Sequence, residues 1–342
     1  MTKDHSSLRT FLPSFVLSLA IGVWIFSIMG LSGIWLFAIL VILEITFSFD
    51  NAIVNSKILS RMNNFWQQMF LTVGILFAVF IVRFALPIII VAVSAQMSFG
   101  AVIDTAINQP AQYAEILHGA AASINAFGGT FLAMVGLGFF VDKSKKIHWL
   151  AKIEKPLARI GGNEFAKDIF MTIVVVILAL TASADERTSI IVAGLFGVAL
   201  HLALTLFQKH FNAKQSGKGL LTGIAAFTSF IYLNILDASF SLDGVIGAFA
   251  ITQDILLIMA GLGVGALWVR SMTIHLVRAG TLAKYRYLEH GAHWAILALG
   301  IIMLVKLYHI EPAEWFTGGI GLVIILAAFY GSIIWRKSQE AA

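Results

Sequence analysis

The sequence predicts an all-α, polytopic membrane helix bundle of about ten transmembrane helices, and three observations predict it. Of 342 residues, 59% are hydrophobic and only 12% charged, and the mean hydropathy is +0.90. The apolar residues gather in blocks of about 20, the length that crosses the hydrocarbon core of a bilayer. One motif occurs twice, LEITFSFDNAIV at 43–54 and LDASFSLDGVIG at 236–247, each a carboxylate followed six residues later by Asp.

In order, the spans fall at about 11–30, 33–56, 67–95, 120–141, 168–184, 188–207, 220–250, 254–277, 291–308 and 315–335. Lys3 and Arg9 precede the first. Its apolar run is long for a signal peptide and no small-x-small cleavage site follows, so it reads as a retained span. The second and seventh spans carry the motif. The third, with Pro87, and the seventh are longer than a perpendicular crossing needs, so tilt, a kink or a break is expected. The longest external connection, 96–119, carries Asp104, Glu115 and His118 without a basic residue and suits a partly helical lid. Asp185–Glu186–Arg187 reads as an external turn, and 143–167 as a basic cytoplasmic loop touching lipid headgroups.

Charge placement sets the orientation. With the amino terminus inside, 19 of the 23 Lys and Arg fall on the cytoplasmic side; Arg187 and Lys306 fall outside, and Arg83 and Arg270 within spans. Both termini are then cytoplasmic and the number of spans even. The net charge of +5 follows from this distribution and implies no nucleic-acid partner. The second span runs outward to inward and the seventh inward to outward, so the motif copies are antiparallel, as in an inverted-topology repeat. The span after each motif holds an Arg behind small residues: Gly74, Ala78 and Arg83, then Gly265, Ala266 and Arg270. The next is Gly-studded in both copies. The single membrane domain, 1–342, thus contains three-helix units at 33–142 and 220–308, with spans 1, 5, 6 and 10 as additions.

Of the 18 acidic residues, four lie well inside spans: Glu44, Asp50, Asp237 and Asp243. An acid at mid-membrane costs about 2.5–3.5 kcal/mol on insertion scales, so four need compensation. Arg83 and Arg270 can balance two; a bound cation would balance the surplus. Residues six apart on a helix lie about 120° apart in rotation and about 9 Å apart along the axis. Glu44 and Asp50 therefore cannot both ligate one ion from an unbroken helix. Glu44, Ser48 and Asn51 share one stripe; Asp237, Ser241 and Gly244 form the equivalent, extended one turn by Asn234. Either the helices break near Ser48 and Ser241, or the acids serve successive sites. The favoured arrangement is a shared midplane site of Asp50, Asn51, Asp237 and Asp243, with Glu44 close by.

Carboxylate, amide and hydroxyl oxygens without any Cys suit Mn²⁺, Ca²⁺ or Mg²⁺, and leave Na⁺ and H⁺ open. Among the histidines, His201 lies inside a span and reads as structural. His290 and His293, three apart at a span start, fit an interfacial helix end better than a chelating pair. No Walker, HExxH or GxSxG motif is present, so neither an enzyme nor a prosthetic group is expected.

The segments at 43–54 and 236–252, with GALWVRSMTI at 265–274 and YRYLEHGAHWAILALGIIMLVK at 285–306, resemble the TerC (tellurium-resistance protein C) family of the lysine-exporter superfamily. The chain departs from that pattern at Gly244, where the family commonly carries Ser, and is longer than the usual core. The resemblance implies a bacterial inner-membrane protein associated with Mn²⁺ efflux, in some members with supplying metal to exported enzymes. It places Asp50, Asn51 and Asp243 in the acidic motifs, with Glu44 and Asp237 upstream and Arg83 and Arg270 balancing charge. The expectation is a divalent-cation exporter, Mn²⁺ the favoured ion, working by alternating access. The alternatives are a Ca²⁺ or proton-coupled cation carrier and, in another class, a non-transporting accessory factor for secretion, exoenzyme metallation or envelope stress.

Overall fold

The computed structural model describes residues 4–160, 165–213 and 219–340. Lys3, 161–164, Lys214 and Lys218 lie outside the described residues, as does the side chain of Ala78. The elements are helical: α1 (Asp4–Phe47), α2 (Phe49–Leu59), α3 (Asn64–Leu71), α4 (Val73–Leu76), a π-helix (Phe77–Ala85), α5 (Leu86–Ser94), α6 (Phe99–Asn108), α7 (Pro110–Gly119) and α8 (Ala121–Phe140). They continue with α9 (Ala151–Ile160), α10 (Ala166–Thr181), α11 (Arg187–Ala213), α12 (Gly223–Ile251), α13 (Ile255–Ala279), α14 (Thr281–Lys284), α15 (Leu288–Lys306) and α16 (Glu314–Glu340). Among the described residues there is no strand, only a bridge between Met62 and Leu221.

Among the described residues seven helices are long and apolar enough to cross a membrane, where the sequence suggests ten spans. Three local events separate the two numbers. First, α1 is a hairpin of two legs. Gly30 (φ 66°, ψ −153°) leaves helical geometry, and a Cβ placed at Gly22 would lie 3.7 Å from Ile34 and 3.9 Å from Phe37. In a straight helix residues 22 and 34 stand about 18 Å apart, so the chain must fold back here. Only glycine takes this backbone at no steric cost. Second, the overlong 67–95 run is broken into α3, α4, the π-helix and α5, with Pro87 at the start of α5. Third, α10 has 16 residues, about 24 Å of helix.

Helices α8 and α15 form the centre: 72% of each apolar window is buried, against 28% for α11 and α16. The two cross closely. A Cβ on Gly129 would meet the Gly300 carbonyl at 2.9 Å, and one on Gly300 would meet the Ala133 amide at 2.7 Å. Small residues at such a crossing let backbones approach where lipid gives no hydrophobic driving force between helices. Around this pair lie α11 and α12 against α8, and α16 and α2 against α15, and α1 packs along α13. The outer faces of α1, α10, α11 and α16 expose Val23, Phe170, Phe196 and Tyr330, a lipid-facing surface. The expected lid at 96–119 is a helical pair, α6 and α7, with Tyr113 buried against Phe249.

Candidate cation site

The two motif segments run antiparallel past each other. Asn51 Nδ2 donates to Asp237 Oδ1, and a Cβ on Gly244 would lie 3.9 Å from Glu44 Oε2. Seven residues forward on the first segment correspond to seven back on the second. Within the first segment Ser48 Oγ donates to Glu44 Oε1 at 2.8 Å.

Both upstream carboxylates meet the buried arginines. Arg83, on the π-helix, donates through Nη2 to Glu44. Arg270, on α13, donates through Nη2 to Asp237 Oδ2 at 3.1 Å and through Nη1 to the Phe70 carbonyl at 2.8 Å. Its guanidinium also lies 4.2 Å from the centre of the Phe70 ring. All four charged groups are buried. The close approach requires small residues, since a Cβ on Gly265 would lie 2.5 Å from that of Glu44, and one on Gly74 would lie 2.6 Å from Arg270 Nη1.

Asp50 is different. The helix is interrupted at Ser48 (φ −104°, ψ 13°), and α2 starts at Phe49 with Asp50 in its first turn. There Asp50 Oδ1 accepts from the Asn51 amide at 2.9 Å, satisfying one of the donors a helix start leaves open. The side chain is buried at 5% exposure and has no cationic partner among the described residues. It lines a small cavity with Thr46 and, on α16, Thr317, Gly318 and Gly321.

The structure joins Asn51 to Asp237 and Glu44 to Ser48, and Asp50 lines the small cavity beside α16. The side chain of Asp243 lies outside the described residues. Helix α12 continues unbroken through Ser241, so the chain breaks near Ser48 and not near Ser241. Among the described residues no group of three or more His, Asp or Glu side chains is placed to hold a metal. Several buried polar atoms have no hydrogen-bond partner, among them Asn51 Oδ1, Asn55 Oδ1, Asn125 Oδ1, Asn234 Oδ1, Ser241 Oγ and Thr317 Oγ1. Asn55, Asn125 and Thr317 were not among the expected site residues. The sequence signal for them is a polar side chain within an apolar run, weaker than a charge.

The histidines take structural partners. His290 Nδ1 lies 2.9 Å from Glu154 Oε2, His293 Nδ1 lies 2.8 Å from the Glu289 carbonyl oxygen, and His201 stands edge-on to Phe131. Glu154, on α9, also accepts from the Trp149 and Leu150 amides and the Trp294 indole, each at 3.2 Å. Burial pushes its carboxyl up; the hydrogen bond and charge of His290, with the Leu150 amide and the indole, outweigh this and bring it down to about 2. Beside it, burial lowers the Lys145 ammonium to about 8, against the pull of Glu154, Glu289 and Asp142.

Apolar helices, buried ion pairs and a lipid-facing surface together define a multi-pass α-helical membrane protein. Residues 49–339 match the family described as a protein of unknown function, DUF475, and the chain belongs to that family. No curated protein and no solved structure matches it.

Proposed function

We propose that the protein is a secondary transporter that exports a divalent cation, Mn²⁺ the favoured ion, across the bacterial inner membrane. In this reading 33–142 and 220–308 are inverted repeats within about ten spans, both termini are cytoplasmic, and alternating access moves the ion past the motif crossing. Asp50 and Asp243 are the main ligands, Asn51 adds an amide oxygen, and Ser48, Ser241 and Asn234 are supporting oxygens. Glu44 and Asp237 hold Arg83 and Arg270 and shape the path.

The observation that carries the reading is Asp50: a buried carboxylate at a helix interruption, with no cationic partner among the described residues. Such a group loses its charge by taking a proton or by holding a cation, and both are transport chemistry. Thr317, whose Oγ1 has no hydrogen-bond partner, lines the same small cavity as Asp50 and adds a hard ligand, and a chain without Cys disfavours soft metals. A helix broken beside an ion-binding carboxylate is a recurrent device of secondary transporters. The resemblance of the motifs to the TerC family points the same way.

Uptake of Mn²⁺, Ca²⁺, Mg²⁺ and Zn²⁺ into inside-out vesicles tests it. Mn²⁺ uptake by wild type, lost in Asp50→Asn and in Asp243→Asn at equal protein level, is the expected result. Uptake that survives both changes removes the site assignment. No uptake of any ion by folded protein favours the accessory-factor reading.

A further inference from the structure

The link between α8 and α10 carries a feature independent of the cation path. Residues 142–160 hold six basic residues against two acidic ones, and α9, AKIEKPLARI, orders half of them. At about 100° per residue this helix divides into three arcs. One faces the protein: Glu154 is buried on His290 and Trp294, and Leu157 packs against the cluster of Met134, Phe140 and Met171. The second is basic. Lys152, Lys155 and Arg159, all exposed, fall within about 60° of one another. The third, next to it, is apolar and open, with Pro156 exposed and Ile153 at 51% exposure.

None of the three basic side chains has a carboxylate partner among the described residues. Because the buried Glu154 fixes the rotation of α9, its basic and apolar arcs are presented side by side. Its height is fixed as well. Leu157 lines one cavity with Phe139, at the end of α8, and Phe170, near the start of α10, and Phe170 is 56% exposed on the lipid-facing surface. Helix α9 therefore sits where two apolar helices end, at the level of the headgroups. An exposed apolar arc is unfavourable in water. At that boundary acyl chains cover it while the neighbouring ammonium and guanidinium groups meet phosphate.

We propose that α9 is an interfacial helix that docks on anionic phospholipid headgroups. Lys152, Lys155 and Arg159 meet the phosphates, and Ile153 and Pro156 enter the acyl boundary beside them. Zwitterionic lipid offers the same acyl boundary without net charge, so charge is what the surface selects. The proposal rests on the membrane class alone and not on transport of an ion. In the orientation proposed above, the leaflet concerned is the cytoplasmic one.

The test uses the full chain, whose lack of Cys permits a single reporter. Ile153→Cys, carrying an apolar environment-sensitive dye, is reconstituted in nanodiscs of phosphatidylcholine with a rising share of phosphatidylglycerol. Expected are a blue shift of the dye and its quenching by nitroxide-bearing lipid as the anionic share rises, both reversed by salt. Each of Lys152→Gln, Lys155→Gln and Arg159→Gln lowers the ratio of docked to free helix about fivefold. Thermal unfolding in detergent shows that each variant is folded. A response as large in phosphatidylcholine alone overturns the charge assignment, and an unchanged response in the triple Gln variant places the docking elsewhere. A dye that stays in water in every membrane overturns the proposal. A shift that appears only on adding polyglutamate assigns the basic arc to an acidic protein segment instead.

Discussion

At the scale of the residue, the four membrane acids divide into two kinds, and substitution separates them. Glu44 and Asp237 each face a buried arginine. Removing one member of such a pair leaves the other charge without it and costs about 3–5 kcal/mol, whereas replacing both by apolar groups costs little. Glu44→Gln should therefore lower Tm in detergent sharply, and Glu44→Gln/Arg83→Met should recover much of the loss; equal Tm for Glu44→Gln and wild type would mean that the pair balances no charge. Asp50→Asn removes a charge with no cationic partner among the described residues, so Tm should hold or rise while Mn²⁺ uptake disappears. Stability and transport moving in opposite directions is the signature of a residue kept for function. Counting charges showed that two arginines could serve two of four acids, and the 100° step per residue put Asp50 on a different face from Glu44. Thr317 was not legible, because a hydroxyl in an apolar helix says nothing about which neighbour it meets.

Elements show where local sequence stops deciding. Ser48 and Ser241 occupy the same place in the two motifs, yet the helix breaks only at the first. Tertiary neighbours distinguish them: Glu44 is wedged against Gly265, and a side chain on Gly318 would collide with Phe47. The 143–167 loop looked like a basic surface segment, but α9 is anchored by its own buried carboxylate, Glu154, whose partners come from α15 and from the turn before α9. Removing a charged acceptor from such a network costs about 1.5–3 kcal/mol. Glu154→Gln should free α9, seen as faster amide hydrogen exchange over 151–159; unchanged exchange would show that its apolar face alone holds it. Because the folded carboxyl lies near 2, below the ordinary 4.5, its contribution is complete above pH 4.5 and is lost as pH falls towards 2. Lys145 gives a slope of the same sign in a higher window, because its burial disfavours the charged form. Its folded value of about 8 lies below 10.5, so the unfolded chain binds more protons between these limits and stability should rise with pH from 8 to 10.5. Tm of wild type and Lys145→Met across that range checks it; the rise should be smaller in the variant.

Across the whole molecule, hydropathy made the all-α membrane class legible, and charge placement supplied an orientation. The number of crossings was harder, since composition cannot tell a span from a broken or short helix. Helix α10 is the decisive case: about 24 Å of helix falls short of a ~30 Å hydrocarbon core. If it crosses, with local thinning, Ser144 and Ala184 lie on opposite sides; if it does not, they share one. The absence of Cys makes this measurable with single introduced thiols. Ser144→Cys, Ala184→Cys and Ser338→Cys all place the thiol at exposed positions. An impermeant maleimide added to intact cells should label only Ala184→Cys, and permeabilisation should expose the other two. Labelling of Ser144→Cys and Ser338→Cys alone would invert the molecule and turn the exporter into an importer. Labelling of Ser144→Cys together with Ala184→Cys would remove α10 from the spans, and with it the even count on which the antiparallel repeat rests.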